Sequence, residues 1–267
     1  MTAMGALLRD IRPDGGPDGS GASFEHPAMV GILGGMGPAA GVDFARLFVQ
    51  ACEQCLRDAR RPVRDQAFPA HWLGQLPIVD RTTALQDDQA AQPLDGMRQG
   101  LDQLARIGVR VAAVSCNTAH AWHDALRHAV PGLRLLHIAH ETAATLRARG
   151  HGRAMLLATR GTYRIGLYAR AFADAGIDCV LPDEAQKDLL MQGIYDGVKA
   201  GDMTLAQVRF ATVGRELRER HGALPLVMAC TEIPLALPFA AEAAGWDLVD
   251  PSAILAMALA RRAYGLD

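Results

Sequence analysis

The sequence has little excess charge of either sign, with a formal net charge of −2 at pH 7. Binding to nucleic acid or to an anionic membrane generally needs a concentrated basic face, so we expect neither as a partner. No apolar run reaches the ~20 residues of a membrane-spanning helix. The first residues also lack the charged and apolar regions of a secretory signal, and we expect a cytoplasmic protein.

Cysteine and lysine are scarce. Five cysteines, an odd number in a chain of 267 residues, do not suggest a disulfide framework. In a reducing cytoplasm each of them can remain a thiol. The basic residues are almost all arginines, because Lys187 and Lys199 are the only lysines, so a lysine within a motif is noticeable.

Half of the residues are hydrophobic, which is enough for a large core in one or two domains. Residues 1–28 are rich in Gly, Pro, Asp and Ser and predict a disordered tail. From residue 29 onward, apolar strand-like runs alternate with helical patterns, which is typical of α/β folds with parallel sheets. A weak repetition of this pattern predicts a first α/β domain over 29–132 plus 245–267 and a second over 133–244.

Two of the cysteines follow apolar runs in corresponding places of the two halves. Cys116 lies in VAAVSCNTAH and Cys230 in LPLVMACTEIP. Each is expected at the carboxyl end of a parallel strand, where ligands bind in α/β sheets. The residues that follow open a helix or a turn, whose backbone N–H groups favour a thiolate. A single cysteine in a strand, by contrast, is usually only a small buried hydrophobe.

A matched pair of thiols suggests acid/base chemistry. Thiol and thiolate are both accessible near neutral pH. Two such groups on opposite sides of a planar intermediate can therefore remove a proton from one face and return it to the other. The pair predicts inversion of a stereocentre without a cofactor.

Several segments resemble the aspartate/glutamate racemase family, and most of all its cofactor-independent aspartate racemase branch. They are GILGGMGPAA, DRTTAL, SCNTAH, LLAT, IYDGVKAG and ACTEIPLAL. The resemblance runs from about residue 29 to the C-terminus. It implies two Rossmann-like domains related by a pseudo-twofold, with parallel sheets and an active site in the cleft between them. It also implies a homodimer, and proton transfer by two thiols without pyridoxal phosphate.

The same resemblance assigns the proton transfer to Cys116 and Cys230. The residues that would contact the α-carboxylate or the rest of the substrate share a hydroxyl or amide side chain; they are Asn117, Thr118, Thr159 and Thr231. Hydrogen-bond donors at the carboxylate would have to stabilise the dianion that develops when Cα loses its proton.

Two cations match positions that the family uses for the substrate side chain. Arg81 would pair with the side-chain carboxylate, because a guanidinium can bind a carboxylate bidentately, and Lys199 would be the second basic partner. Glu232 and His120 lie beside the cysteine motifs, where each could support the site or simply cap a helix. These residues imply an acidic amino acid as substrate, aspartate most of all and glutamate as a possibility.

Three other motifs give only weak support for a cofactor or metal site. GMGPAAG, at 35–41, resembles a dinucleotide-binding turn, but the acidic residue expected after a second strand is missing. Its glycines are better explained by close approach of the backbone to a small substrate, with Met36 near it. The CEQC segment lies within a helix, without the partner pair that a zinc or redox site needs. The histidines between His120 and His140 lack a set of ligands that would complete a metal site.

Two alternative functions remain open at this stage. A relative in the same superfamily could act as a decarboxylase or as a cis–trans isomerase of a dicarboxylic acid. The Cys116–Cys230 pair argues against both, because such reactions typically do not need two equivalent thiols beside an amino-acid site. A non-catalytic protein that binds an amino acid in the same cleft would show tight binding without turnover.

Overall fold

The computed structural model describes residues 23–266. Most of the predicted tail, residues 1–22, lies outside this range. The helices and strands within the range are, in chain order, β1 (Val30–Gly34), α1 (Pro38–Asp58), β2 (His71–Gln75), α2 (Arg81–Gln86), α3 (Leu94–Arg106), β3 (Val111–Val114), α4 (His123–Ala129), β4 (Arg134–Leu135), α5 (Ile138–Ala148), β5 (Arg153–Ala158), α6 (Arg160–Arg164), α7 (Leu167–Asp174), β6 (Asp178–Val180), α8 (Glu184–Gln192), α9 (Met203–His221), β7 (Leu226–Ala229), β8 (Leu248–Val249) and α10 (Pro251–Ala263).

The strands form two four-stranded parallel sheets with the same topology. Their orders are β2-β1-β3-β4 and β6-β5-β7-β8. Strand β3 pairs with β1 in the first sheet and β7 pairs with β5 in the second, so β3 and β7 occupy equivalent positions. The expected α/β class with parallel sheets in two halves is confirmed.

The central strands are fully apolar because helices cover both faces of each sheet. All residues of β1 and β7 are buried. One continuous hydrophobic cluster includes Ile32 and Phe44 from the first half and Leu156 and Tyr168 from the second. The C-terminal helix α10 packs on both α1 and α5. The two sheets are therefore joined by a common core.

Two short edge strands pair with the sheet of the other half from the one that the predicted domain boundaries give them. Strand β4, after residue 132, pairs with β3, and β8, after residue 244, pairs with β7. By sheet pairing, β4 goes with the first half and β8 with the second, which reverses the predicted assignment of both. An apolar run of a few residues does not reveal which sheet it joins. The division into two domains itself stays a prediction.

Three local features are not evident from the sequence pattern. Strand β2 is half exposed at a sheet edge, so its sequence lacks the apolar run that marks the central strands. The DRTTAL segment forms the short helix α2, with Asp80 as its N-cap. After α8, the IYDGVKAG segment forms a π-helical turn at Gly193–Gly197 and a 3₁₀ turn at Val198–Ala200.

Candidate active site

One cavity lies at the carboxyl ends of the equivalent strands β3 and β7. Cys116 follows β3 and Cys230 follows β7, and both line this cavity. Ten of the eleven residues that the sequence selected contribute to its wall, and His120 is the one that does not; besides the cysteines, the wall contains Met36, Arg81, Asn117, Thr118, Thr159, Lys199, Thr231 and Glu232. Side chains from both halves of the chain therefore meet around the two thiols.

The cavity is nearly closed. Its interior offers about 20 Å³ to water-sized occupants, which is room for about one water molecule. A more open cavity of about 430 Å³ adjoins it and shares the lining residues Met36, Asp80, Arg81, Lys199 and Glu232. An amino acid can reach the thiols only if some of these shared side chains move.

Cys230 is paired with a carboxylate. Its Sγ lies 3.0 Å from Oε2 of Glu232, and the Thr231 hydroxyl donates to the same oxygen at 3.0 Å. Burial, together with the neighbouring carboxylate, raises the pKa of the Cys230 thiol well above its usual value. Cys230 is therefore a protonated thiol that donates to Glu232.

Cys116 has a cation as its neighbour. Burial would lower the pKa of the Arg81 guanidinium, but its interactions with Cys116, and with the carboxylates of Asp80 and Glu232, together outweigh burial and raise that pKa. The two thiols thus differ in their surroundings: a guanidinium stands beside Cys116 and a carboxylate beside Cys230.

The guanidinium of Arg81 is held by the backbone. It donates to the carbonyl oxygens of Met36 at 2.6 Å, Val79 at 2.9 Å and Ile78 at 3.1 Å. Its Nε is buried and has no hydrogen-bond partner within residues 23–266. Three of the five N–H donors of Arg81 are therefore held by backbone carbonyls, and Nε and one Nη2 hydrogen are left for a further acceptor.

Threonines from the two halves meet on one side of the cavity. The Thr118 hydroxyl lies 2.9 Å from that of Thr159 and 3.0 Å from that of Thr162. Thr159 also caps α6 by accepting from the Thr162 backbone N–H at 3.1 Å. A close approach at Gly161 permits this meeting, because a Cβ there would lie 3.0 Å from Thr118 Cγ2 and 3.1 Å from Thr82 Oγ1.

Four residues of the cavity wall were not selected from the sequence: Asp80, Thr82, Ile194 and Tyr195. The Tyr195 hydroxyl donates to Asp80 Oδ2 at 3.0 Å, and Lys199 Nζ lies 4.5 Å from the centre of the Tyr195 ring. Burial would raise the pKa of Asp80, but hydrogen bonds from Thr83 and Tyr195, with Arg81 and Lys199 nearby, hold it below its usual value. The position of Asp80 before a helix predicts a cap, but no sequence signal pairs it with Tyr195.

The glycine-rich turn after β1 brings Met36 to the cavity. Gly35 has a φ of +90°, and a Cβ there would lie 2.1 Å from the carbonyl oxygen of Leu76. Only glycine fits this backbone position.

The histidines between His120 and His140 form a separate cluster. His120 Nδ1 lies 2.9 Å from the carbonyl oxygen of Cys116, and the rings of His120, His123, His137 and His140 contact one another in succession. Burial lowers the pKa of His120 to about 4 and that of His137 to about 2. The cluster lines an open cavity of about 940 Å³, which shares no lining residue with the thiol cavity.

Other cysteines have packing roles. None of the five is in a disulfide, and Cys52 and Cys55 are buried in α1.

Across the described part of the chain, no group of three or more His, Cys, Asp or Glu side chains is arranged to hold a metal ion. Among the helices between residues 23 and 266, none is both long and apolar enough to cross a membrane.

Comparison with known proteins gives a consistent result. The sequence model of the family described as Asp/Glu/Hydantoin racemase matches residues 33–259. The broad specificity amino-acid racemase RacX of Bacillus subtilis is 25% identical over 208 residues, which is 77% of this chain and 86% of that protein.

Solved structures agree with this match. The aspartate racemase of Picrophilus torridus superposes with a TM-score of 0.74 and 27% identity, covering 88% of this chain and 94% of that one. An aspartate racemase homologue from Pyrococcus horikoshii has the same fold, with a TM-score of 0.65, 19% identity, and coverage of 89% and 98%.

Proposed function

The chain belongs to the Asp/Glu/Hydantoin racemase family, and from this premise we propose that it inverts Cα of an acidic amino acid by proton transfer between Cys116 and Cys230. Membership of the family makes it an isomerase; the substrate and the mechanism are our proposal. Aspartate is the first candidate and glutamate the second. No cofactor takes part in the proposed reaction.

The observation that carries the proposal is the position of the two thiols. They follow equivalent strands of two sheets with the same topology and line one cavity. Two acid/base groups that approach one carbon from different halves of a protein can serve opposite faces of a planar intermediate. A single nucleophilic cysteine would need no such counterpart.

Because the two thiols have different neighbours, the reaction has a defined starting state, with one thiol as the acid and the other as the base. A turnover needs one base and one acid. The Cys230 thiol, whose pKa is raised by burial and by Glu232, supplies the acid, and Cys116, next to the Arg81 guanidinium, supplies the base. After transfer the roles are exchanged, and the reverse reaction begins from that state.

The polar wall supports recognition of an amino acid. The amide of Asn117, and the hydroxyls of Thr118, Thr159 and Thr231 once they leave their present partners, can donate to the α-carboxylate, and they would stabilise the dianion that forms when Cα is deprotonated. Lys199 and the remaining donors of Arg81 offer positive charge to a side-chain carboxylate. The aspartate racemase of Picrophilus torridus among the similar structures agrees with this substrate class.

Incubation with L-aspartate in deuterated water tests the proposal. We expect loss of optical rotation as deuterium enters Cα. Cys116→Ala and Cys230→Ala should each abolish inversion, although one of them can still exchange the proton from a single face. Cys179→Ala is the matched control, because Cys179 lies outside the cavity, and it should keep activity. Added pyridoxal phosphate should change nothing.

Two results would contradict the proposal in different ways. Normal racemisation by both cysteine variants would exclude the thiol mechanism. Tight binding of aspartate by the wild-type protein without any exchange would favour the amino-acid-binding alternative. The homodimer that the family resemblance implies is a further part of the proposal, and sedimentation of the purified protein tests it.

A further inference from the structure

A buried tyrosine outside the cavity wall contacts one of the wall residues. Tyr168, in α7 of the second half, donates its hydroxyl hydrogen to Oδ1 of Asn117, 51 residues earlier in the chain. Tyr168 is fully buried and Asn117 is 2% exposed. Asn117 directly follows Cys116 and lines the cavity, whereas Tyr168 does not. This hydrogen bond therefore connects the cavity wall to a residue outside it.

The other atom of the same amide has no partner. Asn117 Nδ2 is buried, and nothing in the part of the chain that the structure describes accepts a hydrogen bond from it. A buried donor without an acceptor costs roughly 1–3 kcal/mol, so such a group in a native protein calls for an explanation. Because Oδ1 is occupied by Tyr168, Nδ2 is the group that Asn117 can offer to the cavity.

We infer that Tyr168 is a positioning residue of the active site: it fixes the Asn117 amide so that the NH₂ group, not the carbonyl, faces the substrate carboxylate. The two ends of an amide have opposite polarity and nearly the same shape. In the reverse orientation, the carbonyl oxygen would face the carboxylate and repel it.

The surroundings of the Tyr168 hydroxyl favour this direction of donation. Burial raises the pKa of Tyr168 well above its usual value, so its proton stays in place at any working pH. The tyrosine is thus a permanent donor to Asn117 Oδ1.

This inference rests on the proposed function only in taking the ligand to be an amino-acid carboxylate. The test is a double-mutant cycle of Tyr168→Phe and Asn117→Ala, read by kcat/KM for aspartate and by aspartate binding in calorimetry. Tyr168→Phe should lower kcat/KM and weaken binding about 10-fold, the effect of one misdirected buried hydrogen bond. Asn117→Ala should cost about 100-fold in kcat/KM, since a donor to a developing charge is lost.

The double variant decides the matter, because residues that act through each other are not additive. It should be no worse than Asn117→Ala alone. Tyr264→Phe is the matched control: Tyr264 is also fully buried, and its hydroxyl donates to the carbonyl oxygen of Ala67 at 2.9 Å, away from the cavity. It should leave both readouts unchanged.

Multiplicative losses in the double variant, or a Tyr168→Phe variant with wild-type binding and kcat/KM, would overturn the inference. Failure of the racemase proposal is distinguishable from this. If the wild-type protein binds aspartate without exchanging Cα–H, the binding cycle still decides the role of Tyr168. If the wild-type protein binds neither aspartate nor glutamate, an acidic amino acid is not the ligand, and the inference is overturned as well.

Discussion

The hydroxyl of Tyr195 lies 3.0 Å from the carboxylate of Asp80, although 115 positions separate the two residues. Asp80 caps α2 in the first half, and Tyr195 sits in the π-helical turn after α8 in the second. Both residues line the thiol cavity. Their hydrogen bond therefore joins the two halves directly at the candidate active site.

Loss of this hydrogen bond should weaken the closed form of the enzyme. Tyr195→Phe removes the hydroxyl but keeps the ring near Lys199. A net hydrogen bond contributes about 1 kcal/mol, so we expect KM for aspartate to rise about 5-fold. Steady-state kinetics measure it. Asp80→Asn, which keeps the helix cap, should act in the same direction. Unchanged KM and kcat in both variants would mean that the bond plays no part in closure.

Replacement of Glu232 should change the pH dependence. The Glu232 carboxylate adds to burial in raising the pKa of the Cys230 thiol, so Glu232→Gln should lower that pKa. The rate falls at high pH once the Cys230 thiol, the proposed acid, loses its proton. This alkaline limb of the pH profile should move to lower pH in the variant. The pH profile of kcat/KM and the ultraviolet absorbance of the thiolate report it. An alkaline limb that stays in place, or moves upward, would contradict this assignment.

A methyl group at Gly161 should disturb the threonine contact. In Gly161→Ala the new Cβ would lie 3.0–3.2 Å from atoms of Thr118 and Thr82, so one side of the cavity must shift. We expect kcat/KM to fall about 10-fold, while alanine in the helix adds at most about 1 kcal/mol of stability. Gly152→Ala is the control, because a Cβ there meets nothing within 4 Å. Equal activity of the two variants would show that the contact has no catalytic consequence.

The buried histidine beside the Cys116 loop should make the fold sensitive to acid. Burial lowers the pKa of His120 from 6.5 to about 4. Between these values the unfolded chain binds a proton that the folded chain does not, so the free energy of unfolding falls as pH falls through this window. The loss should be on the order of 2–3 kcal/mol for this residue.

Urea unfolding at several pH values across that window measures the effect. His120→Gln should flatten the pH dependence, although it also lowers stability at neutral pH through lost packing. His128→Gln, at an exposed position, is the control and should leave the slope unchanged. A His120→Gln variant with the wild-type slope would exclude this residue as the cause.

Local sequence patterns predict the main parts of the candidate site. Cys116 and Cys230 end apolar runs, and the geometry of parallel strands carries the residues that follow each cysteine to the carboxyl edge of its own sheet. Arg81 and Lys199 came instead from motif resemblance. Both routes selected residues that line one cavity.

Other features depend on contacts that no local pattern contains. The Asp80–Tyr195 and Tyr168–Asn117 hydrogen bonds each join distant segments. Strands β4 and β8 are two residues long, too short for hydrophobic periodicity to reveal the sheet that they join. The backbone carbonyls that occupy Arg81 could be found only once the loop conformation was known.

The size of the thiol cavity has a consequence for isotope experiments. A chamber with room for about one water molecule gives a hydrogen held on sulfur almost no solvent with which to exchange while the mouth is shut. The hydrogen isotope found in the product then shows whether each sulfur has exchanged its hydrogen with solvent since the cavity last opened. Because substrate enters only when side chains at the mouth move, a single turnover begun with protonated enzyme in heavy water measures whether that one opening exchanges the hydrogen on sulfur.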